Sequence, residues 1–149
     1  MSELITPQAI SRCLGGEEIL GTPIRDRRQL AQVTEQGIPF ASVAHLLREL
    51  NVTQREMAGL LGVNIRTLSR NKGSDARLDP GSSDRAYRVA RLLALATEVL
   101  GGLGAAREWL HDSQRALGGE TPLHLMAMGG SGPEEVEELL LRMEYGVYA

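Results

Sequence analysis

Residues 53–72 read TQREMAGLLGVNIRTLSRNK and contain the signals for two short helices joined by a tight turn. Thr53 and Glu56, three residues apart, form a capping box, in which each side chain bonds the backbone N–H of the other residue. Gly62 accepts the left-handed backbone that a tight turn requires, and Asn64 is a good cap for a second helix. The stretch therefore predicts a helix-turn-helix motif, with a first helix that follows the Thr53 cap and ends at about Leu61 and a second from about Ile65 to Lys72.

The predicted second helix has an apolar side and a polar side. Ile65 and Leu68 would face the interior, and the outer side would carry arginine, threonine and serine. In the major groove of DNA, arginine can donate two hydrogen bonds to guanine, and hydroxyl groups can reach bases or phosphates. The residues predicted to bind DNA are Thr53, Gln54, Asn64, Arg66, Thr67, Ser69, Arg70 and Lys72. A motif of this kind also occurs as a scaffold that does not bind DNA, so that alternative stays open.

The rest of the chain predicts an all-α fold. Aromatic residues make up only 3% of the sequence, and the alternating patterns of strands are missing. Threonine, serine or aspartate before a proline or an apolar run marks a helix start, and glycine pairs mark helix ends. Further helices are expected at 7–14, 27–36, 39–50, 84–100, 105–117, 122–128 and 133–144. Ser82 or Ser83 is expected to cap the helix that starts at Asp84, and Ser131 with Glu134 is expected to form a second capping box.

Charge is distributed unevenly along the chain. Residues 39–91 hold nine basic and five acidic residues, a net charge of +4, whereas residues 92–149 hold three basic and nine acidic residues, a net charge of −6. A basic middle suits a polyanion, and an acidic end suits a different partner; a chance distribution of solvated charges is the alternative interpretation.

The proposed division of the chain follows these patterns and the glycine- and serine-rich stretch after the motif. It consists of N-terminal helices at 1–38, a helix-turn-helix DNA-binding unit at 39–73, a connection at 74–83 and a helical C-terminal domain with a terminal tail at 84–149. Helix-turn-helix proteins usually read two half-sites as dimers, so the N-terminal helices would either pair with a second copy or brace the motif.

The composition also argues against several classes of protein. Cys13 is the one cysteine, which excludes an internal disulfide and fits a reducing cytoplasm; we expect it to be a small buried hydrophobic residue. No apolar run approaches the length of a membrane span. The three histidines lack metal-ligand spacing, and neither a phosphate loop nor a nucleophile motif is present. We therefore predict a cytoplasmic binding protein that is not an enzyme and uses no metal, cofactor or membrane.

Three stretches in the second half resemble the toxin-binding domain of the Xre/MbcA/ParS antitoxin family. They read SDRAYRVAR at 83–91, EWL at 108–110 followed by RALGGETPL at 115–123, and VEELLLRMEYGVYA at 136–149. The resemblance covers about residues 78–149, and an Xre-like helix-turn-helix unit before it fits the same architecture. It implies an antitoxin of a type II toxin–antitoxin system. Such a protein would block a RES-type, NAD-degrading toxin, bind operator DNA to autoregulate the operon, and form a homodimer and a larger complex with the toxin.

Under this resemblance, candidates for toxin binding lie on the helices and in the tail. They are Arg85, Arg88, Trp109, Tyr145, Gly146, Val147, Tyr148 and Ala149. For the arginines, a solvated helix face or a buried Asp84–Arg88 pair are other interpretations, and for Trp109 a place in the core is another. The tail would dock into the toxin at or near its active-site cleft, or would pack on its own domain.

Two other functions remain open from the sequence. One is a stand-alone helix-turn-helix transcriptional regulator whose C-terminal domain only dimerises or senses a ligand. The other is an adaptor between proteins that contains an inactive motif. A RES-type toxin gene beside this one, or a stable complex with its product, would favour the antitoxin over both.

Overall fold

The computed structural model describes residues 5–146, which are mainly helical. The helices in chain order are α1 (Pro7–Cys13), α2 (Gly16–Leu20), α3 (Arg27–Gln36), α4 (Phe40–Leu50), α5 (Gln54–Leu61), α6 (Ile65–Arg70), α7 (Pro80–Leu100), α8 (Leu103–His111), α9 (Pro122–Met128) and α10 (Gly132–Glu144). A short 3₁₀ helix, Arg115–Leu117, lies between α8 and α9. Residues 5–146 contain no β-strand, and one isolated β-bridge joins Pro39 to Arg77. The predicted all-α fold is confirmed.

Several helices begin at the capping residues that the sequence predicts. The side chain of Thr6 accepts a hydrogen bond from the backbone N–H of Ala9 at 3.0 Å, at the start of α1. Asp26 accepts one from Gln29 at 2.9 Å, at the start of α3, and Thr121 caps α9 in the same way. Each bond satisfies a donor that the first helical turn leaves free, so the cap fixes where the helix starts.

The start of α7 differs from the prediction. This helix begins at Pro80, and Asp79 caps it by accepting the backbone N–H of Ser82 at 2.8 Å. Aspartate followed by proline at the first helical position is a strong start signal, and here it takes precedence over the serines that follow. The expectation that Ser82 or Ser83 caps a helix starting at Asp84 is therefore wrong, since all three are helical residues.

Ser83 instead joins α7 to the segment before α4. Its fully buried hydroxyl accepts the backbone N–H of Ile38 at 2.9 Å and donates to the carbonyl oxygen of Leu78 at 3.3 Å. The first bond spans 45 positions in the sequence. It satisfies a buried backbone donor that lies outside any helix.

The helix predicted over residues 105–117 is interrupted. α8 ends at His111, and the 3₁₀ helix follows only after a gap. The side-chain amide of Gln114 donates to the carbonyl oxygens of Trp109 and Asp112 at 3.2 and 3.1 Å. The side chain thereby provides hydrogen bonds that a continuing helix would have supplied from its backbone.

Two smaller differences occur next to glycine-rich turns. The glycine pair after α1 is followed by the unpredicted helix α2, because Gly15, with a φ of +103°, turns the chain and a helix resumes at Gly16. At the start of α10, Ser131 makes no capping bond, so the predicted capping box with Glu134 is wrong. The Ser131 hydroxyl lies 3.5 Å from the Glu135 carboxylate instead.

α7 is the central helix of the fold. It has 21 residues and packs against α1, α3, α4 and α5 as well as against α8 and α10. Its buried side chains are mostly alanine and leucine, and the alanines let neighbouring helices approach closely. In addition, α5 contacts α9 and α4 contacts α8. The helix-turn-helix region and the C-terminal helices therefore share one continuous core.

No single helix within residues 5–146 is long and apolar enough to cross a membrane. α7 and α8 reach that length and composition only as a pair, and the pair is bent by 112°.

Candidate functional site

The helix-turn-helix motif consists of α5 and α6, and hydrogen bonds fix the start of each helix. Thr53 Oγ1 accepts the N–H of Glu56 at 3.1 Å, and Glu56 Oε1 accepts the N–H of Thr53 at 2.8 Å. Gly62 has a φ of +68° between the helices. Asn64 Oδ1 accepts the N–H of Arg66 at 2.7 Å. The predicted capping box, turn and second cap are confirmed.

Apolar residues and one polar contact hold the two helices together. Ala58 and Leu68 are buried, and Ile65 is half-buried against the core. Ser69 Oγ donates a hydrogen bond to Gln54 Oε1 at 3.1 Å. This bond, between residues 15 positions apart, has no signal in the sequence. It joins two of the predicted DNA-binding residues and holds the start of α5 beside the outer side of α6.

The outer side of the motif carries positive charge without acidic partners. Arg66, Arg70 and Lys72 are exposed, and none of them has an ion pair within residues 5–146. Residues 39–72 hold five basic and two acidic residues. A guanidinium or ammonium group without a partner can bind a phosphate without first breaking an ion pair. This surface is therefore suited to a polyanion.

α6 is shorter than predicted, because it ends at Arg70 and not at Lys72. The side-chain amide of Asn71 donates to the carbonyl oxygen of Thr67 at 2.8 Å, which satisfies an acceptor in the last helical turn. Lys72 consequently lies in the turn after the helix, and Thr67 is half-buried, more enclosed than its exposed neighbours.

Arg85, predicted to contact the toxin, lies beside the turn of the motif. Its guanidinium packs so closely on Gly62 that a Cβ atom built on that glycine would stand 3.0 Å from Nη1. The side chain is exposed and has no ion pair within residues 5–146. In space, Arg85 is therefore grouped with the predicted DNA-binding residues.

The next two arginines of α7 are paired with acidic side chains. Arg88 Nη2 lies 2.9 Å from Asp84 Oδ2, and these side chains are 59% and 55% exposed, so the pair exists but is not buried. Exposed pairs of this kind contribute little to stability and can exchange for a partner's acid. Arg91 forms a half-buried ion pair with Glu137, which ties α7 to α10.

The remaining toxin-binding candidates differ in exposure. Trp109 is half-buried and packs against the core, which agrees with the core interpretation and leaves part of the ring accessible. Tyr145 follows α10 and is 66% exposed; with Met128 it is one of two exposed large apolar residues within 5–146. Gly146 has a φ of +70° at the end of the described chain. Val147, Tyr148 and Ala149 lie outside the described residues.

Side chains of α8 cap the end of α4, a contact that the sequence does not predict. Arg107 Nε donates to the carbonyl oxygen of Glu49 at 2.8 Å, and His111 Nε2 lies 2.8 Å from the carbonyl oxygen of Leu50. The last carbonyls of a helix need partners from elsewhere, but the sequence alone does not identify those partners. α8 thereby holds the segment that leads into the helix-turn-helix motif.

Cys13 is buried, as predicted. Burial raises the pKa of its thiol to about 12, with a smaller contribution in the same direction from the Glu49 carboxylate. The thiol is therefore protonated at neutral pH and behaves as a hydrophobic group. Within residues 5–146, no group of three histidine, cysteine or acidic side chains is arranged to hold a metal ion.

Comparison with known proteins finds relatives along nearly the whole chain. An antitoxin Xre of Yersinia enterocolitica is 27% identical over 145 residues, which cover 97% of this chain and 96% of that protein. An antitoxin Xre of Pseudomonas putida is 33% identical over 84 residues, or 56% of this chain and 52% of that protein. A chain in the crystal structure of the M. tuberculosis MbcT–MbcA toxin–antitoxin complex has the same fold. Its TM-score is 0.54 at 21% identity, covering 74% of this chain and 96% of that chain.

Two protein-family models match successive parts of the chain. The antitoxin Xre-like helix-turn-helix domain matches residues 29–91, and the antitoxin Xre/MbcA/ParS C-terminal toxin-binding domain matches residues 95–146. The chain therefore belongs to the Xre/MbcA/ParS antitoxins, with an Xre-like helix-turn-helix domain followed by a C-terminal toxin-binding domain.

Proposed function

We propose that this antitoxin neutralises a RES-type, NAD-degrading toxin with its C-terminal domain and binds operator DNA with its helix-turn-helix domain, thereby repressing its own operon. It acts in the cytoplasm by binding and is not itself an enzyme. The observation that supports two separate binding surfaces is the distribution of charge. The cations of the motif have no ion pairs within residues 5–146, whereas residues 92–149 carry a net charge of −6.

For DNA, we propose that α6 enters the major groove. Arg66 and Arg70, four positions apart on one side of the helix, would bond base edges, and Thr67 and Ser69 would contact bases or the backbone. The DNA phosphates would be contacted by Thr53 and Gln54 at the start of α5, and by Asn64 and Lys72. Two copies would bind two half-sites as a dimer, with residues 1–38 either pairing or bracing the motif.

For the toxin, we propose a surface on residues 84–149 that includes Arg88, Trp109, Tyr145 and the tail from Gly146 to Ala149. Tyr145 supports this proposal because its side chain is 66% exposed and tyrosine is enriched at protein–protein interfaces. The acidic face of α10 supports it too, since Glu134, Glu135 and Glu138 are all exposed. Arg85 would lie at the edge of the toxin-binding surface, because its guanidinium packs against Gly62 of the motif.

Two variants of the full chain test the two arms separately. The double variant Arg66→Ala/Arg70→Ala should lose sequence-specific binding to the promoter DNA upstream of its gene, and it should still neutralise the toxin. Each bidentate arginine–guanine contact contributes about 1–3 kcal/mol of discrimination between bases. Deletion of Gly146–Ala149 should leave DNA binding unchanged and abolish rescue of bacterial growth when the RES-type neighbour is coexpressed.

The outcomes distinguish the functions that the sequence leaves open. Full growth rescue by the truncated chain would contradict the role of the tail. If the intact chain binds promoter DNA but forms no complex with the neighbouring toxin, it is a stand-alone regulator. If it binds the toxin but shows no preference for promoter DNA, the motif is a scaffold. Sedimentation of the chain alone and of the complex measures the proposed dimer and the larger assembly.

A further inference from the structure

A groove of about 570 Å³ opens beside the helix-turn-helix motif. It shares Gln54 and Lys72 with the residues that the proposed function assigns to DNA, and it extends beyond them onto α4. Its floor is apolar and is formed largely by α4, including Phe40 and Val43, with Leu68 from α6. Its polar lining consists of Arg48, Gln54, Asn71, Lys72 and Ser74. Within residues 5–146, no carboxylate lines the groove. The polar side of the groove is therefore positively charged.

The two cations come from different segments. Arg48 is exposed in the last turn of α4, and Lys72 is exposed just after α6. Neither has an ion pair within residues 5–146; Glu49, the neighbour of Arg48, faces His45 at 4.0 Å instead. Two cations that share a groove without a counter-charge attract an anion.

Arg48 is also not needed to cap its own helix. A basic residue in the last turn often bonds the final carbonyls of a helix. At the end of α4, however, the carbonyls of Glu49 and Leu50 already have partners in Arg107 and His111. The Arg48 guanidinium is therefore available to bind a group outside the protein.

We propose that a phosphate of the DNA backbone lies at the mouth of this groove and is bound by Arg48 and Lys72, so that the DNA-contacting surface extends from the motif onto α4. This inference rests on the proposed DNA binding. The Ser69–Gln54 bond holds the start of α5 beside α6, and Gln54 also lines the groove. The groove therefore adjoins the outer side of α6, and a backbone strand flanking the major groove passes its mouth when α6 is inserted.

A second copy of the chain is the other occupant that an apolar floor suggests. Pairing two copies there would bring like-charged rims together and would remove their cations from water, which is costly without acidic partners. A phosphate instead supplies the missing negative charge. Charge complementarity therefore favours the DNA backbone.

The experiment measures binding of the full chain to random-sequence duplex DNA over a range of salt concentrations, because phosphate contacts do not depend on sequence. Each phosphate contact contributes about 0.9 to the slope of log K against log salt. Arg48→Gln should lower that slope by about 0.9 and should weaken binding about eightfold at 0.1 M salt. Lys72→Gln should behave similarly. Arg115→Gln is the matched control and should change neither quantity, since Arg115 is an exposed arginine of the 3₁₀ helix, outside the motif and residues 1–38, without an ion pair within residues 5–146.

The variants separate failure of this inference from failure of the proposed function. If Lys72→Gln lowers the slope and Arg48→Gln does not, the phosphate site is wrong and DNA binding stands. If the wild-type affinity does not depend on salt, DNA binding itself is wrong. If Arg48→Gln changes the sedimentation mass of the chain without DNA, the groove is an interface between copies and the phosphate site is wrong. Unchanged mass and an unchanged melting temperature are the expected results for this exposed residue.

Discussion

Replacing Ser83 by alanine should lower the free energy of unfolding by about 2 kcal/mol, although the residue has no place in either proposed binding surface. Its hydroxyl accepts the N–H of Ile38 at 2.9 Å, and both residues are completely buried. The variant therefore leaves a backbone donor without a partner and out of reach of water, which costs about 1–3 kcal/mol. Because small domains are stable by only about 5–15 kcal/mol, this is a substantial fraction of the total.

Urea unfolding followed by far-ultraviolet circular dichroism measures the effect. With a typical dependence on urea of about 2 kcal/mol per molar, the midpoint should fall by about 1 M. Ser82→Ala is the matched control, because the Ser82 hydroxyl donates at 3.2 Å to Asp79, an exposed residue that water can solvate in the variant. Its expected loss is below about 0.5 kcal/mol. Equal losses in the two variants would refute the reasoning, since they would mean that the Ile38 N–H finds another acceptor.

Three further predictions concern stability. Gly62→Ala should destabilise the fold by about 1–2 kcal/mol in the same unfolding assay, because the backbone φ at Gly62 is +68°. Gly59→Ala, inside α5, is the control and should not destabilise it. Equal effects of the two variants would contradict the role of the turn. Burial raises the pKa of Cys13 from 9.0 to about 12, so the folded state keeps a proton that the unfolded state loses. Stability should therefore fall as pH rises above 9.0, by about 1.4 kcal/mol per pH unit from this group, and the decrease should be smaller in Cys13→Ala; parallel pH profiles would exclude a buried thiol. A double-mutant cycle on Arg91 and Glu137 should give a coupling energy of about 0.5–1 kcal/mol, because each side chain is only 29% exposed and water therefore screens the ion pair only in part. No coupling would mean that the pair does not tie α7 to α10.

The parts of the fold that local signals specify could be predicted from the sequence. A capping box needs only Thr53 and Glu56 at the correct spacing, and a left-handed turn needs only Gly62. The same local logic located α3, α4, α5 and α9 to within a residue or so. Where two local signals competed, the prediction was wrong, as at α7, where Asp79 and not the serines caps the helix.

The contacts that position the candidate site could not be predicted, because they join residues far apart in the sequence. Arg107 reaches α4 across 58 positions, and the Arg85 guanidinium reaches the turn at Gly62 from another helix. The resemblance placed Arg85 among the toxin contacts, since it covers a stretch that begins before α8. The packing of α7 on α5 brings this side chain to the helix-turn-helix motif.

The central position of α7 restricts how antitoxins of this kind can exchange partners by recombination. The two family matches meet inside α7, between residues 91 and 95. A crossover in the connection at 74–83 would bring a foreign α7 against α1, α3 and α5, and a crossover after Leu100 would bring a foreign α8 and α10 against the resident α7. In either chimaera, the buried face of α7 from one parent must fit the helices that come from the other parent. Under the proposed function, the two binding specificities would therefore have to be inherited together, because both proposed surfaces depend on the packing of one shared helix.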